Sequence, residues 1–133
     1  MAVKTQRNLR FHICAAAAVL ICANICEAER VEQILLVLTI GLVIAAELLN
    51  SALENAVDLV TEEYNEYAKR AKDIAAAGVL ISAAAAFAVG FFVFCDAERI
   101  RLLTDTLFGS WLAFGLVILY AALALLFIFY RKN

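Results

Sequence analysis

The stretch from Ile44 to Asp73 reads IAAELLNSALENAVDLVTEEYNEYAKRAKD, and its pattern decides the architecture. Glu47, Asn50, Glu54 and Asp58 interrupt an apolar run at spacings of three, four and four. On a helix turning about 100° per residue, these positions share an arc of about 80°. Ionisable groups at membrane depth usually face a bundle interior or a water-filled site, so they are functional candidates. Three carboxylates and an amide on one stripe make an acceptor-rich surface suited to a hard cation such as Mg²⁺. Lys69, Arg70, Lys72 and Asp73 follow, and basic groups of this kind meet phosphate. Metal-binding carboxylates beside basic residues suggest phosphoryl transfer.

Working outward, the rest of the chain supplies the membrane that this stripe interrupts. A chain of 133 residues has room for one domain, yet 65% of it is hydrophobic and only 18% charged. A soluble domain of this size has too little interior for that much apolar surface, so the bilayer is the natural solvent. Four apolar segments stand out: Phe11 to Cys26, Ile34 to Val60, Ile74 to Cys95 and Leu107 to Tyr130. The first is short and needs interfacial extension. The expected fold is an all-α polytopic membrane helix bundle. With no proline in the chain, the broken helices of transporters are disfavoured.

Basic residues set the expected orientation. Lys4, Arg7, Arg10, Lys69, Arg70, Lys72, Arg131 and Lys132 fall on one side, and Arg30, Arg99 and Arg101 on the other. Four spans with both termini in the cytoplasm satisfy that bias and place the 61–73 connection where ATP is. A net charge of −2, with no basic stripe interleaved with aromatics, argues against nucleic acid. The basic residues before the first apolar run are followed by acidic ones, not by a small-residue cleavage site, so no cleavable signal peptide is expected. The alanine runs 15–18, 75–77 and 83–86 permit close helix contact. So thin a bundle would struggle to enclose a site alone, and an oligomer is expected.

Several residues have a plain structural reading. Cys14, Cys22, Cys26 and Cys95 lie in or beside apolar runs and read as small packing residues. His12, the only histidine, reads as interfacial. The TEEYNEYAKRAKD segment could be a solvated helical turn with pairs such as Glu66 to Arg70. Asn50 could bond a neighbouring helix, and Asp58 could be solvated near the interface. Glu47 is harder to dismiss, because it lies about 16 Å deeper along the helix than Asp58.

ELLNSALENAVDLV followed by EEYNEYAKRAKDIAAAGVL resembles the signature of the bacterial integral-membrane lipid kinases, the small diacylglycerol kinases and related undecaprenol kinases. The pattern E-x-x-N-[ST]-A-[IL]-E-x-x-V-D, then A-K-D after a short loop, carries the resemblance, which runs from about Thr5 to Cys95. It implies an ATP- and Mg²⁺-dependent kinase acting on a lipid hydroxyl in the bacterial cytoplasmic membrane, assembled as a homotrimer. Undecaprenol is favoured over diacylglycerol. Residues 1–100 would form the kinase domain, with three family-like spans, and 101–133 an extra fourth transmembrane helix. By analogy Glu47 is the general base, while Glu54 binds metal and ATP. Asn50 and Asp58 support the polar site, and Glu63, Tyr64, Asn65, Lys72 and Asp73 meet the nucleotide. Gln6 stands where the family usually carries a second metal-binding Glu. The family's amphipathic surface helix, which normally precedes that stretch, is not expected here. These departures keep open a non-enzymatic relative, and the stripe alone keeps open an ion or proton pathway.

The orientation is testable by thiol labelling of intact cells, using a variant without the native cysteines. A cysteine placed at either terminus is expected to resist a membrane-impermeant reagent until the cells are opened. Ready labelling of either end would contradict four spans in this orientation.

Overall fold

A computed structural model describes the backbone of residues 2–61 and 63–130, and the side chains of 7–61 and 63–130. The described residues form five α-helices: α1 (Ala2–Ile25), α2 (Arg30–Val60), α3 (Glu66–Phe94), α4 (Ala97–Phe108) and α5 (Trp111–Phe129). Four of them, α1, α2, α3 and α5, are long and apolar enough to cross a membrane. The all-α membrane bundle expected from the sequence is therefore present.

Each break carries a local signal. The α1 helix ends with Glu27 at φ 49°, the left-handed conformation that glycine usually supplies. The Ala28 amide donates back to the Ala23 carbonyl at 2.9 Å, closing the turn. The α2 helix starts where Glu32 reaches back and accepts from the Glu29 amide at 2.8 Å. Asn65 opens α3 by accepting from the Tyr67 and Ala68 amides, and Asp96 does the same for α4 with Glu98 and Arg99. Ser110 opens α5 by accepting from Ala113 at 3.1 Å. Between α4 and α5, Gly109 is needed for space: a Cβ there would sit 2.1 Å from the Asp105 carbonyl oxygen.

Two sequence expectations shift. The third apolar segment, expected from Ile74, is the later part of a helix that begins at Glu66, so the 66–73 charges sit on helix, with Glu66 and Arg70 paired at 3.8 Å. The fourth segment, expected from Leu107, splits at Gly109, and the preceding turns form the separate helix α4. Its Leu103 and Leu107 are partly covered, while Arg101 and Asp105 pair in solvent. That is the pattern of a helix lying in the interface.

The α2 and α3 helices form the closest-packed pair, joined by a short connection that makes them antiparallel neighbours. The α1 helix packs on α2, and α5 packs on α1. At one end of the bundle, Arg99 of α4 grips both carboxylate oxygens of Glu32 on α2, at 2.8 and 2.9 Å. It also donates to the Val93 carbonyl in the last turn of α3. The core at this end is small and made of Ala23, Ala28, Leu36 and Val93. Cys26 is buried beside it, in keeping with a packing role. At the opposite end, Arg10 of α1 donates to the Phe127 and Tyr130 carbonyls at 3.1 and 2.7 Å, satisfying the free end of α5. Tyr120 of α5 donates to the Cys14 carbonyl.

Leu36, 2% exposed, is the largest fully buried side chain among the described residues. Leu36→Ala is expected to cost about 2 kcal/mol, the low end for buried leucines, because lipid already solvates apolar surface and only packing is lost. Arg101→Ala, on the exposed face of α4, is expected to change nothing measurable. Equilibrium unfolding of both variants in mixed micelles, followed by circular dichroism, checks the contrast.

Candidate functional site

The polar stripe of α2 and the first turns of α3 converge at the end of the bundle that carries the α2–α3 connection. Glu47 is 2% exposed and Asn50 7% exposed, and Ser51 beside them is also buried. Burial on one side of a membrane helix requires the faces of Leu36, Val43, Glu47 and Asn50 to coincide, which the three- and four-residue spacings provide. The stripe therefore turns toward the protein, as its spacing implied.

Two oxygens in this cluster stand out. Glu47 Oε1 and Asn50 Oδ1 are buried and have no hydrogen-bond partner among the described residues. Buried acceptors of this kind are costly unless something donates to them. The other half of the Asn50 amide is used: its Nδ2 donates to Glu54 Oε1 at 3.0 Å, one helical turn on. Asn50 thus fixes the orientation of the Glu54 carboxylate while keeping its own oxygen available.

A second pair lies closer to the connection. Lys72 on α3 donates to Asp58 on α2, with both side chains largely covered. This bond joins the two helices across the site and holds the ammonium beside the carboxylate stripe. Asp73 is exposed, as are Glu63, Tyr64 and Asn65 in the connection. Tyr64 is 80% exposed, and the Asn65 side chain is occupied in capping α3. The structure thus joins Asn50 to Glu54 and Asp58 to Lys72, with Glu47 on the same helix stripe. It leaves Glu63, Tyr64 and Asp73 open to a ligand arriving from water. The side chain of Gln6, expected as a metal ligand, lies outside the described residues.

The donor set suits a hard cation. Its charged members are carboxylates, and the unpartnered Asn50 Oδ1 adds a neutral oxygen. Among the described residues no three His, Cys, Asp or Glu side chains stand together as a metal cluster. Glu54, with its carboxylate oriented by Asn50, could supply one oxygen ligand to such a cation, which commonly keeps waters and phosphate oxygens in its other positions.

Sequence reasoning passed over Ser51, which sits four residues after Glu47 and so shares its face. It also passed over Arg10 and Arg99, which were counted only for orientation. A cleft is present elsewhere in the bundle. A partly enclosed groove of about 690 Å³, bounded by α1, α2, α3 and α4, lies on the α4 side of the stripe.

Comparison with known proteins supplies the family. The family model described as prokaryotic diacylglycerol kinase matches residues 1–94, ending where α3 ends. The undecaprenol kinase of Bacillus subtilis (strain 168) is 42% identical over 91 residues, covering 68% of this chain and 74% of that protein. A diacylglycerol kinase of Synechocystis sp. is 48% identical over 90 residues, 67% of this chain and 51% of that protein. The diacylglycerol kinase of Escherichia coli (strain K12) is 41% identical over 56 residues, 42% of this chain and 46% of that protein. The match therefore spans about half the length of the latter two relatives. No solved structure matches the chain. The chain belongs to the prokaryotic diacylglycerol kinase family of lipid kinases.

Proposed function

We propose that the protein transfers the terminal phosphoryl group of ATP to the hydroxyl of a membrane lipid alcohol, with Mg²⁺, at the stripe of α2 and the start of α3. The observation that carries this reading is the buried Glu47 carboxylate with an unpartnered oxygen, positioned to receive a proton. The lipid O–H proton passes to Glu47, and the lipid oxygen bonds to the γ-phosphorus. The bond from that phosphorus to the β-bridging oxygen breaks, leaving ADP. Glu54, oriented by Asn50, would hold the metal, which supplies positive charge against the phosphates. Lys72 acts as a point charge for phosphate and is kept in place by Asp58. Glu63, Tyr64, Asn65 and Asp73 border the nucleotide from the connection side.

Undecaprenol is the favoured acceptor over diacylglycerol, supported by the three-quarter coverage of the Bacillus undecaprenol kinase. We further propose a homotrimer in the bacterial cytoplasmic membrane with both termini cytoplasmic. Groups from a neighbouring copy would help enclose the stripe that a single chain leaves partly open. Residues 101–133 lie beyond the family match and are proposed as an addition to the kinase unit of residues 1–100. A second reading, a non-enzymatic relative, is favoured by Gln6 standing where the family resemblance expects Glu.

Purified protein, labelled ATP and Mg²⁺, offered undecaprenol, diacylglycerol and ceramide, separates these readings. Phosphate is expected on undecaprenol first, and on none of them if the protein is not an enzyme. Glu47→Gln is expected to lower turnover about a hundredfold or more with nucleotide binding intact. Near-normal turnover would remove Glu47 from the mechanism. Glu54→Ala is expected to abolish Mg²⁺-dependent ATP binding, read by calorimetry across a Mg²⁺ titration. Unchanged affinity would sink that assignment.

A further inference from the structure

The groove beside the stripe has a floor, walls and an end. Ala15 of α1 and Ala83, Ala86 and Gly90 of α3 line it, and their small side chains are what leave the space open. A Cβ at Gly90 would meet only Phe94, at 4.0 Å, so the backbone there faces room. Thr39, one of its few polar members, spends its hydroxyl on the Leu35 and Leu36 carbonyls of its own helix. Apart from His12 and Cys95, the lining therefore offers a ligand hydrocarbon contact.

Two features give the groove a direction. On α2 it extends from Leu36 to Ile44, and Val43, which lines it, lies one helical turn before Glu47 on the same buried face. Its near end on α2, at Val43 and Ile44, thus lies within one helical turn of Glu47. Its far end is closed by Ile100 and Leu103 of α4. That helix is fixed across the bundle by the grip of Arg99 on Glu32 and on the Val93 carbonyl. From the level of Glu47 to that of Leu36 is eleven residues, about 16 Å along α2.

The geometry points to a tail slot: the groove holds the hydrocarbon tail of the lipid alcohol whose hydroxyl lies at Glu47, and α4 is the stop that limits how much tail it takes. The inference rests on the lipid-kinase reading and deepens it, because α4 lies beyond residues 1–94 matched by the family. About 16 Å of extended tail fits between the carboxylate and α4. A longer tail must leave sideways between helices and gains no further contact inside the slot.

Photo-crosslinking of the full-length protein in detergent, without ATP, tests this directly. The probes are straight-chain primary alcohols of increasing length, each with a diazirine at the tail end. Probes whose tails reach about 16 Å are expected to label α4 and the last turns of α3, with competition by unlabelled alcohol. Affinity is expected to rise with length and then level off. Gly90→Leu, or Ala86→Leu as an independent second variant, is expected to reduce labelling by the long probes about tenfold and to spare the short ones. Leu103→Ala is expected to move the levelling-off to longer tails. Labels scattered over α5, labelling that excess alcohol does not displace, or length dependence indifferent to these substitutions would overturn the slot. The kinase reading fails separately: crosslinks in the groove with no phosphate transfer to any alcohol would retain the slot and discard the kinase. Transfer without groove crosslinks would do the reverse.

Discussion

A carboxylate inside a membrane protein has to be answered by something, and the placement of Glu47 organises this chain around that demand. The helix that carries it packs on α3 along one side and α1 along another, and the buried face they create contains Glu47 and Asn50. Asn50 answers Glu54 but leaves its own oxygen unpartnered. An interior made only for stability would have closed these bonds or replaced the polar groups by apolar ones, which in lipid costs little. The unsatisfied acceptors are consistent with a site whose donors arrive with the substrates.

The helix lengths explain how such a site can serve two phases. A hydrocarbon core about 30 Å thick is crossed by about 20 residues. Counted from the α4 end of the bundle, that distance carries α2 from Arg30 to about Asn50 and α3 from Phe94 back to about Ile74. The rest of both helices, with Glu54, Asp58 and Lys72, overhangs the hydrocarbon. By this count Glu47 falls just within the apolar edge, at the depth of a lipid headgroup's border, while the overhang would stand in water. The Lys72 to Asp58 bond stiffens this projecting hairpin, which has no bilayer around it to do so.

The four spans and the polar stripe were legible in the sequence because both are patterns of hydropathy, and hydropathy is what the bilayer sorts. The start of α3 was not, because the charged 66–73 segment reads as a loop by polarity. The Asn65 cap and the Glu66 to Arg70 pair, both local signals, make it helix. The α4 helix was hidden for a related reason: its polar and apolar residues average out along the chain, and only the Asp96 cap and Gly109 mark its ends. The functions of Arg10 and Arg99 were beyond reach, since Arg10 bonds the far end of α5 and Arg99 bonds Glu32 of α2, both distant along the chain. Charge counting sees such side chains but not the helix ends they satisfy.

The docking of α5 has a consequence for assembly. Its C-terminal carbonyls depend on Arg10, and its middle is tied to α1 by Tyr120. Detaching α5 would give up the Arg10 bonds at its end and the Tyr120 bond within the span, where no water stands ready to replace a lost partner. The α1 edge is therefore occupied from within the same chain, and a second copy cannot lay a helix there without evicting α5. Were copies to associate, the remaining edges would be left to them, and the C-terminal helix would act as a built-in rule for which sides of the molecule can meet.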